Sequence, residues 1–176
     1  KAESLRMADF TAEQVKELYL QHTKETGQIF ESDAIEYAFK QTQGQPWLVN
    51  ALAYQACFKD VTDRSKPITK EIMELARETL ILRRDTHLDV LVDRLQEPRV
   101  RKIIQSILLG NEASLSFPID DIQYCLDLGL LVQRNKNLVV ANPIYQEVIP
   151  RQFTYTTQLT MTQEQLWYVS DDGTID

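Results

Sequence analysis

Apolar positions recur at helical spacing through the first part of this chain and then give way to a shorter, mixed rhythm. In DFTAEQ, Thr11 stands three residues before Gln14 in a capping-box arrangement, with Phe10 placed as a staple. Val15, Leu18 and Tyr19 then mark one face of a helix that should stop near Gly27. A second helix fits Ser32 to Thr42, with Ala34, Ile35, Ala38 and Phe39 inward. Gly44 permits a turn, and Pro46 suits a first helical position, where a missing N–H removes no bond. The third helix is expected to reach about Phe58, shielding Leu48, Leu52, Tyr54, Ala56 and Cys57. After the polar loop KDVTDRSKP, Thr69 is a good cap for the long helical run ITKEIMELARETLILRR, and His87 to Leu95 continues the pattern past a small break at Asp85.

Glu97-Pro98 sets a boundary, followed by helix from Arg99 to Leu109 and a stop at Gly110. SLSF reads as a short strand. PIDDIQYCLDLG reads as a short helix with Ile119, Ile122, Cys125 and Leu126 on one face. LLVQRNKNLVVA reads as two strands around a turn at Asn135-Lys136. Asn142-Pro143 restarts a helix, NPIYQEVI, expected to end before Pro150. The expected fold is mainly α: a helical bundle over 1–96, then a small winged-helix-like domain with a β-hairpin over 97–157. Residues 158–176, with some β character, are expected to form a linker or extended tail.

Composition narrows the function. Hydrophobic residues make up 43%, enough for a real core, and the net charge of -7 argues against tight non-specific binding to nucleic acid. Cys57 and Cys125 lie far apart in apolar contexts and read as buried thiols in a reducing, cytoplasmic setting rather than a disulfide. No signal peptide is visible and no apolar run approaches a membrane span, so no membrane partner is expected. The start at Lys1 and the polar end SDDGTID both look cut from something longer.

Chemistry-bearing motifs are sparse. There is no GxxxxGK[ST] loop and no GxGxxG fingerprint among the five glycines, so the chain cannot cradle and hydrolyse a nucleoside triphosphate in the usual way. His22 and His87 are remote in sequence. His87, Asp89 and Asp93 share a helix surface at most and do not close a metal shell, so no metal site is expected. Asp120 and Asp121 open a helix, where carboxylates favour the exposed N–H groups. Arg83, Arg84, Arg99, Arg101 and Lys102 form the visible basic clusters, with acidic neighbours that make a solvated charged surface the plainer reading. The hairpin turn RNKN could enter a DNA groove. The helix beside it carries Asp120, Asp121, Gln123 and Asp127, a poor surface for a phosphate backbone. That leaves GQPW: either a helix junction alone, or a rigid corner presenting a helix N-terminus to a ligand such as a nucleotide held by another domain.

Gly44-Gln45-Pro46 resembles the GxP motif in the helical lid of STAND-type P-loop ATPases, within the wider AAA+ group. DFTAEQV, ETGQIF and TQGQPWLVNALAYQAC are similar to the lid of archaeal- and bacterial-type AAA-like ATPases. DDIQYCLDLGLL and LVVANPIYQEVIPR resemble the winged-helix segment that follows it. The resemblance covers about residues 8 to 157. It implies an upstream P-loop domain of the same protein that binds ATP and Mg. The lid would close over the nucleotide with Gly44, Gln45 and Pro46 in contact, and the winged-helix segment would report nucleotide state or hold an autoinhibited arrangement. Asn142, Pro143, Ile144 and Tyr145 inherit a structural role. Some relatives continue into a nuclease-like domain, which the stretch after Gln158 would approach. On this reading the chain is non-catalytic, binds no cofactor by itself, and couples nucleotide state to interdomain contacts, a protein partner or self-association. The alternatives are an independent winged-helix module for DNA or protein binding, and a small enzyme with no visible site.

Overall fold

A computed structural model describes residues 8–83, 93–110 and 117–153. Helix α1 (Ala12–Thr26) starts in the expected capping box: Thr11 Oγ1 accepts from Gln14 N at 3.2 Å, and Gln14 Oε1 accepts from Thr11 N at 2.9 Å. Helix α2 (Ser32–Thr42) ends at Gln43 and Gly44, both in left-handed conformation. Helix α3 (Pro46–Tyr54) has its proline in the first turn and runs directly into a π-helical turn, Gln55–Asp60, which is closed by Val61 N donating to Ala56 O. Helix α4 (Lys70–Arg83) follows Thr69, whose Oγ1 accepts from Ile72 N. A parallel bridge between Phe30 and Ile68 ties the approach to α2 to the approach to α4.

Helix α5 (Pro98–Leu108) opens the second part, followed by α6 (Ile119–Asp127), strands β1 (Leu131–Arg134) and β2 (Asn137–Val140), and a final helix α7 over 143–153. The strands are antiparallel in the register Leu131↔Val140, Val132↔Val139, Gln133↔Leu138, Arg134↔Asn137. Asn135 and Lys136 both have positive φ, the geometry that matches a two-residue turn to the twist of its strands. The mainly α architecture followed by a small winged-helix-like hairpin is the one the pattern predicts. His87, Asp89, Arg84, most of SLSF and the stretch after Phe153 lie outside the described residues.

Two apolar cores form among the described residues. The first gathers Val15 and Tyr19 of α1, Ala34, Ile35 and Ala38 of α2, Val49 and Leu52 of α3, and Met73, Ala76 and Leu80 of α4. The second gathers Val100, Ile103 and Ile104 of α5, Cys125, the inner strand residues, and Ile144, Tyr145, Val148 and Ile149 of α7. Leu48 and Ile81 belong to this second core. Adjacent residues of α3 (Leu48, Val49) and of α4 (Leu80, Ile81) therefore divide between the cores, and both helices are shared walls.

Four local expectations are corrected. The α-helical ladder stops at Tyr54, before Phe58, because the wider π turn takes over. Tyr54 is 53% exposed, not shielded. Ile119 is 83% exposed, since the first turn of α6 stands clear of the core that Cys125 enters. Helix α7 passes through Pro150 to residue 153. Proline there forfeits one backbone bond, but buried Ile149 and Gln152 hold the last turn against the core.

Candidate functional site

The GQPW corner is built by backbone conformation first. Gln43 (φ 51°) and Gly44 (φ 79°) reverse the chain after α2. Thr42, buried at the end of α2, accepts from Gly44 N with its hydroxyl and from Gln45 N with its carbonyl. Phe10 N donates to Gly44 O at 2.8 Å, which lays the segment before α1 directly on the turn. A Cβ on Gly44 would lie 1.9 Å from the Phe10 carbonyl oxygen, so no side chain fits there.

Gln45 is the N-cap of α3. Its Oε1 accepts from Leu48 N at 2.7 Å. The amide Nε2 of Gln45 has no protein partner among the described residues. Gly44 and Pro46 are buried, whereas Gln45 and Trp47 are half-exposed. Of the predicted triplet, then, Gln45 keeps a free polar group and surface, and its neighbours fix where it stands. The sequence did not single out the cap, because glutamine is not among the side chains that usually fill that position.

One further contact reaches this corner, and it has no sequence signal. Arg134, at the end of β1, donates to Gln43 Oε1 at 2.5 Å, so the hairpin touches the residue before the triplet. Tyr145 of α7 is buried. Burial raises its hydroxyl pKa above the usual tyrosine range, and the nearby Asp9 carboxylate adds to the rise. Phe10 thus lies on Gly44, while the carboxylate of the residue before it acts electrostatically on Tyr145. Asn142 caps the start of α7 by accepting from Tyr145 N at 2.9 Å, a structural role. A second link between the parts is Arg77, which donates to Gln41 Oε1 at 2.9 Å and pairs with Glu147 of α7. Glu147 also pairs with Arg151.

Of the other candidates, some are engaged by neighbouring side chains or buried, and the rest are exposed. Arg99 stacks on Tyr124 at 3.5 Å and pairs with Glu97, which also takes Arg94 and the Tyr124 hydroxyl. Those hydrogen bonds, that of Arg94 foremost, hold the Glu97 carboxyl below its ordinary range. Arg101 lies over Phe153, while Arg83 and Lys102 are exposed. Asp120 and Asp121 occupy the first turn of α6, as their sequence position implies. Cys57 and Cys125 are free, buried, and in different cores. Burial pushes each thiol up to about 11, far from the thiolate a nucleophile needs. His22 faces Gln28 Oε1 at 3.1 Å, and Asp93 is exposed. Among the described residues no three His, Cys, Asp or Glu side chains are grouped to hold a metal ion, and no helix is long and apolar enough to cross a membrane.

No protein-family model matches the sequence, and no curated protein matches it. Solved structures of Thermotoga maritima RuvB do match, among them one described as a Holliday junction branch migration motor. The identity is 21% over 81% of this chain and 50% of that one, with a TM-score of 0.40. Two point variants of the same protein match with the same identity and TM-score, over 49% and 50% of their length. The chain spans about half the length of these structures. A likeness of that degree carries no weight for function.

Proposed function

We propose that this chain is the helical lid and winged-helix-like portion of a larger ATP-binding P-loop protein of the STAND type, with no catalytic site of its own. Its task is coupling: nucleotide held by an upstream domain meets the Gly44–Pro46 corner, and the response passes to the hairpin and α7. The observation that carries this reading is the convergence on that corner. Gln45 offers a free amide donor at a helix N-terminus, suited to a ribose hydroxyl or a base acceptor. The residue before the triplet is held by Arg134 of the hairpin, and Phe10 lies on Gly44. The exposed Arg134 contact gives a shift of the corner a route to the hairpin.

The test separates fold from contact. Gln45→Glu keeps an acceptor for Leu48 N and replaces the donor by a charge, so this chain should melt as before. In the intact parent protein the same change should weaken ATP binding about tenfold, the loss of one well-placed hydrogen bond of about 1.4 kcal/mol. Equal nucleotide affinity for Gln45→Glu and the unaltered protein, with both folded, would leave GQPW as a helix junction and nothing more. This chain alone, given magnesium-ATP, is expected to release no phosphate. Turnover that co-purifies with it would sink the proposal.

A further inference from the structure

A cavity of about 290 Å³ opens on the flank of α3, between it and α1, lined by Leu18, Tyr19, His22, Phe30, Tyr54 and Phe58 among others. It is separate from the GQP corner, although Asn50 on its wall donates to Pro46 O at 2.9 Å. The floor is fixed. Tyr19 stacks on Phe30 with centroids 4.7 Å apart and donates its hydroxyl to Val49 O at 2.9 Å. The outer wall is a pair of exposed aromatic rings: Tyr54 and Phe58, 53% and 48% exposed, are stacked at 5.3 Å across the π turn. Large apolar surface left open beside a preformed cavity is the arrangement of binding sites, not of solvated faces.

The rim is cationic on a chain of net charge -7. Lys59 lies over the Tyr54 ring at 5.5 Å and Arg64 over Phe58 at 4.5 Å. Arg64 is locked there by Gln28 Oε1 at 2.6 Å and Cys57 O at 3.1 Å. Neither cation forms an ion pair among the described residues. Of the carboxylates beside them in sequence, Asp60 accepts from Gln55 with Oδ1 and keeps Oδ2 buried without a partner among the described residues, and Asp63 accepts from Ser65. Inside the cavity, the Tyr19 hydroxyl and the Asn50 amide nitrogen are engaged by backbone carbonyls, and His22 Nε2 faces Gln28. The polar atoms left on the lining are His22 Nδ1, Asn50 Oδ1 and the Tyr54 hydroxyl, few against its aromatic wall, and the volume lies just below the small-molecule range of about 300–1,000 Å³.

We infer that this cavity is the docking pocket for an apolar anchor side chain presented on an acidic segment of a protein partner, with Tyr54 and Phe58 gripping the anchor and Lys59 and Arg64 meeting its flanking carboxylates. The proposal stands on the pocket alone and not on the ATPase reading, so its test uses this chain without nucleotide. The probe is a short synthetic helical peptide with leucines one turn apart between glutamates, followed by fluorescence anisotropy. Two control peptides replace leucine by alanine or glutamate by lysine. Binding in the range of about 100 µM or tighter is expected for the first peptide only, weakening as salt rises. Tyr54→Ala should weaken it at least about tenfold and Lys59→Glu about fivefold, both at exposed positions that leave the fold intact. Pro46→Ala should leave it unchanged. Binding to no peptide, equal binding of the lysine peptide, or indifference to both Tyr54→Ala and Phe58→Ser would overturn the assignment.

Discussion

Gly27 and Gly44 share a φ of 79° but have different surroundings. Around Gly27 a Cβ would meet nothing within 4 Å, while at Gly44 it would collide with the Phe10 backbone. Gly27→Ala should therefore cost only the left-handed strain, about 1 kcal/mol. Gly44→Ala must also push residue 10 off the turn, and about 3 kcal/mol or more is expected. Urea melts of the two variants would check the difference. The sequence placed a turn at Gly44 correctly but gave no reason for its severity, because that reason is a backbone more than thirty residues away. A second expectation concerns the thiols. Their folded pKa values, about 11 against an ordinary 9.0, mean that the folded state holds protons that the unfolded chain releases. Their contribution is complete below pH 9 and lost as pH rises toward 11. Stability measured by denaturant melts should fall across that window, and less so in Cys57→Ala or Cys125→Ala, whatever the baseline cost of the substitution.

At the scale of elements, two arginines on Glu147 should differ in worth. Arg77 has a side chain 14% exposed and also holds Gln41, so it joins α2, α4 and α7. Arg151 lies one turn along α7 on the open surface. Arg77→Met should cost about 1–2 kcal/mol, since Gln41 and Glu147 both lose a partly buried donor. Arg151→Met should stay within about 0.5 kcal/mol. Paired thermal melts would decide it. Elements with a strong period were legible from sequence: α2 runs between the residues its apolar spacing predicts, and the hairpin turns at Asn135-Lys136. The π turn was not legible, because nothing in QACFKD distinguishes a wider helical turn from an ordinary one. Tyr54 lies before that turn and about 200° around the helix from buried Leu52, so ordinary helical spacing already faces it outward. Helix α7 was cut short at Pro150 because the local cost of proline is visible in sequence and the packing of Ile149 and Gln152 that offsets it is not.

At the scale of the molecule, charge decides what the hairpin meets. The turn residue Lys136 is exposed, but Arg134 is directed to Gln43, and α6 opens with Asp120 and Asp121. Binding to mixed-sequence duplex DNA at physiological salt should be weaker than about 1 µM, with anisotropy as the measurement. Should binding appear, Lys136→Glu should reduce it. Of the candidate corner, the turn and the helix start were readable in GQPW. The free amide of Gln45 and the contact with Arg134 were not, since both depend on elements brought together only by folding. The division of Leu48 from Val49, and of Leu80 from Ile81, between the two cores has a thermodynamic consequence. Neither part can melt while leaving the walls of the other in place. Scanning calorimetry should give a single heat-absorption peak whose van't Hoff and calorimetric enthalpies agree. A piece ending at residue 96 would present Trp47, Leu48 and Ile81 to water and should clump rather than fold cleanly.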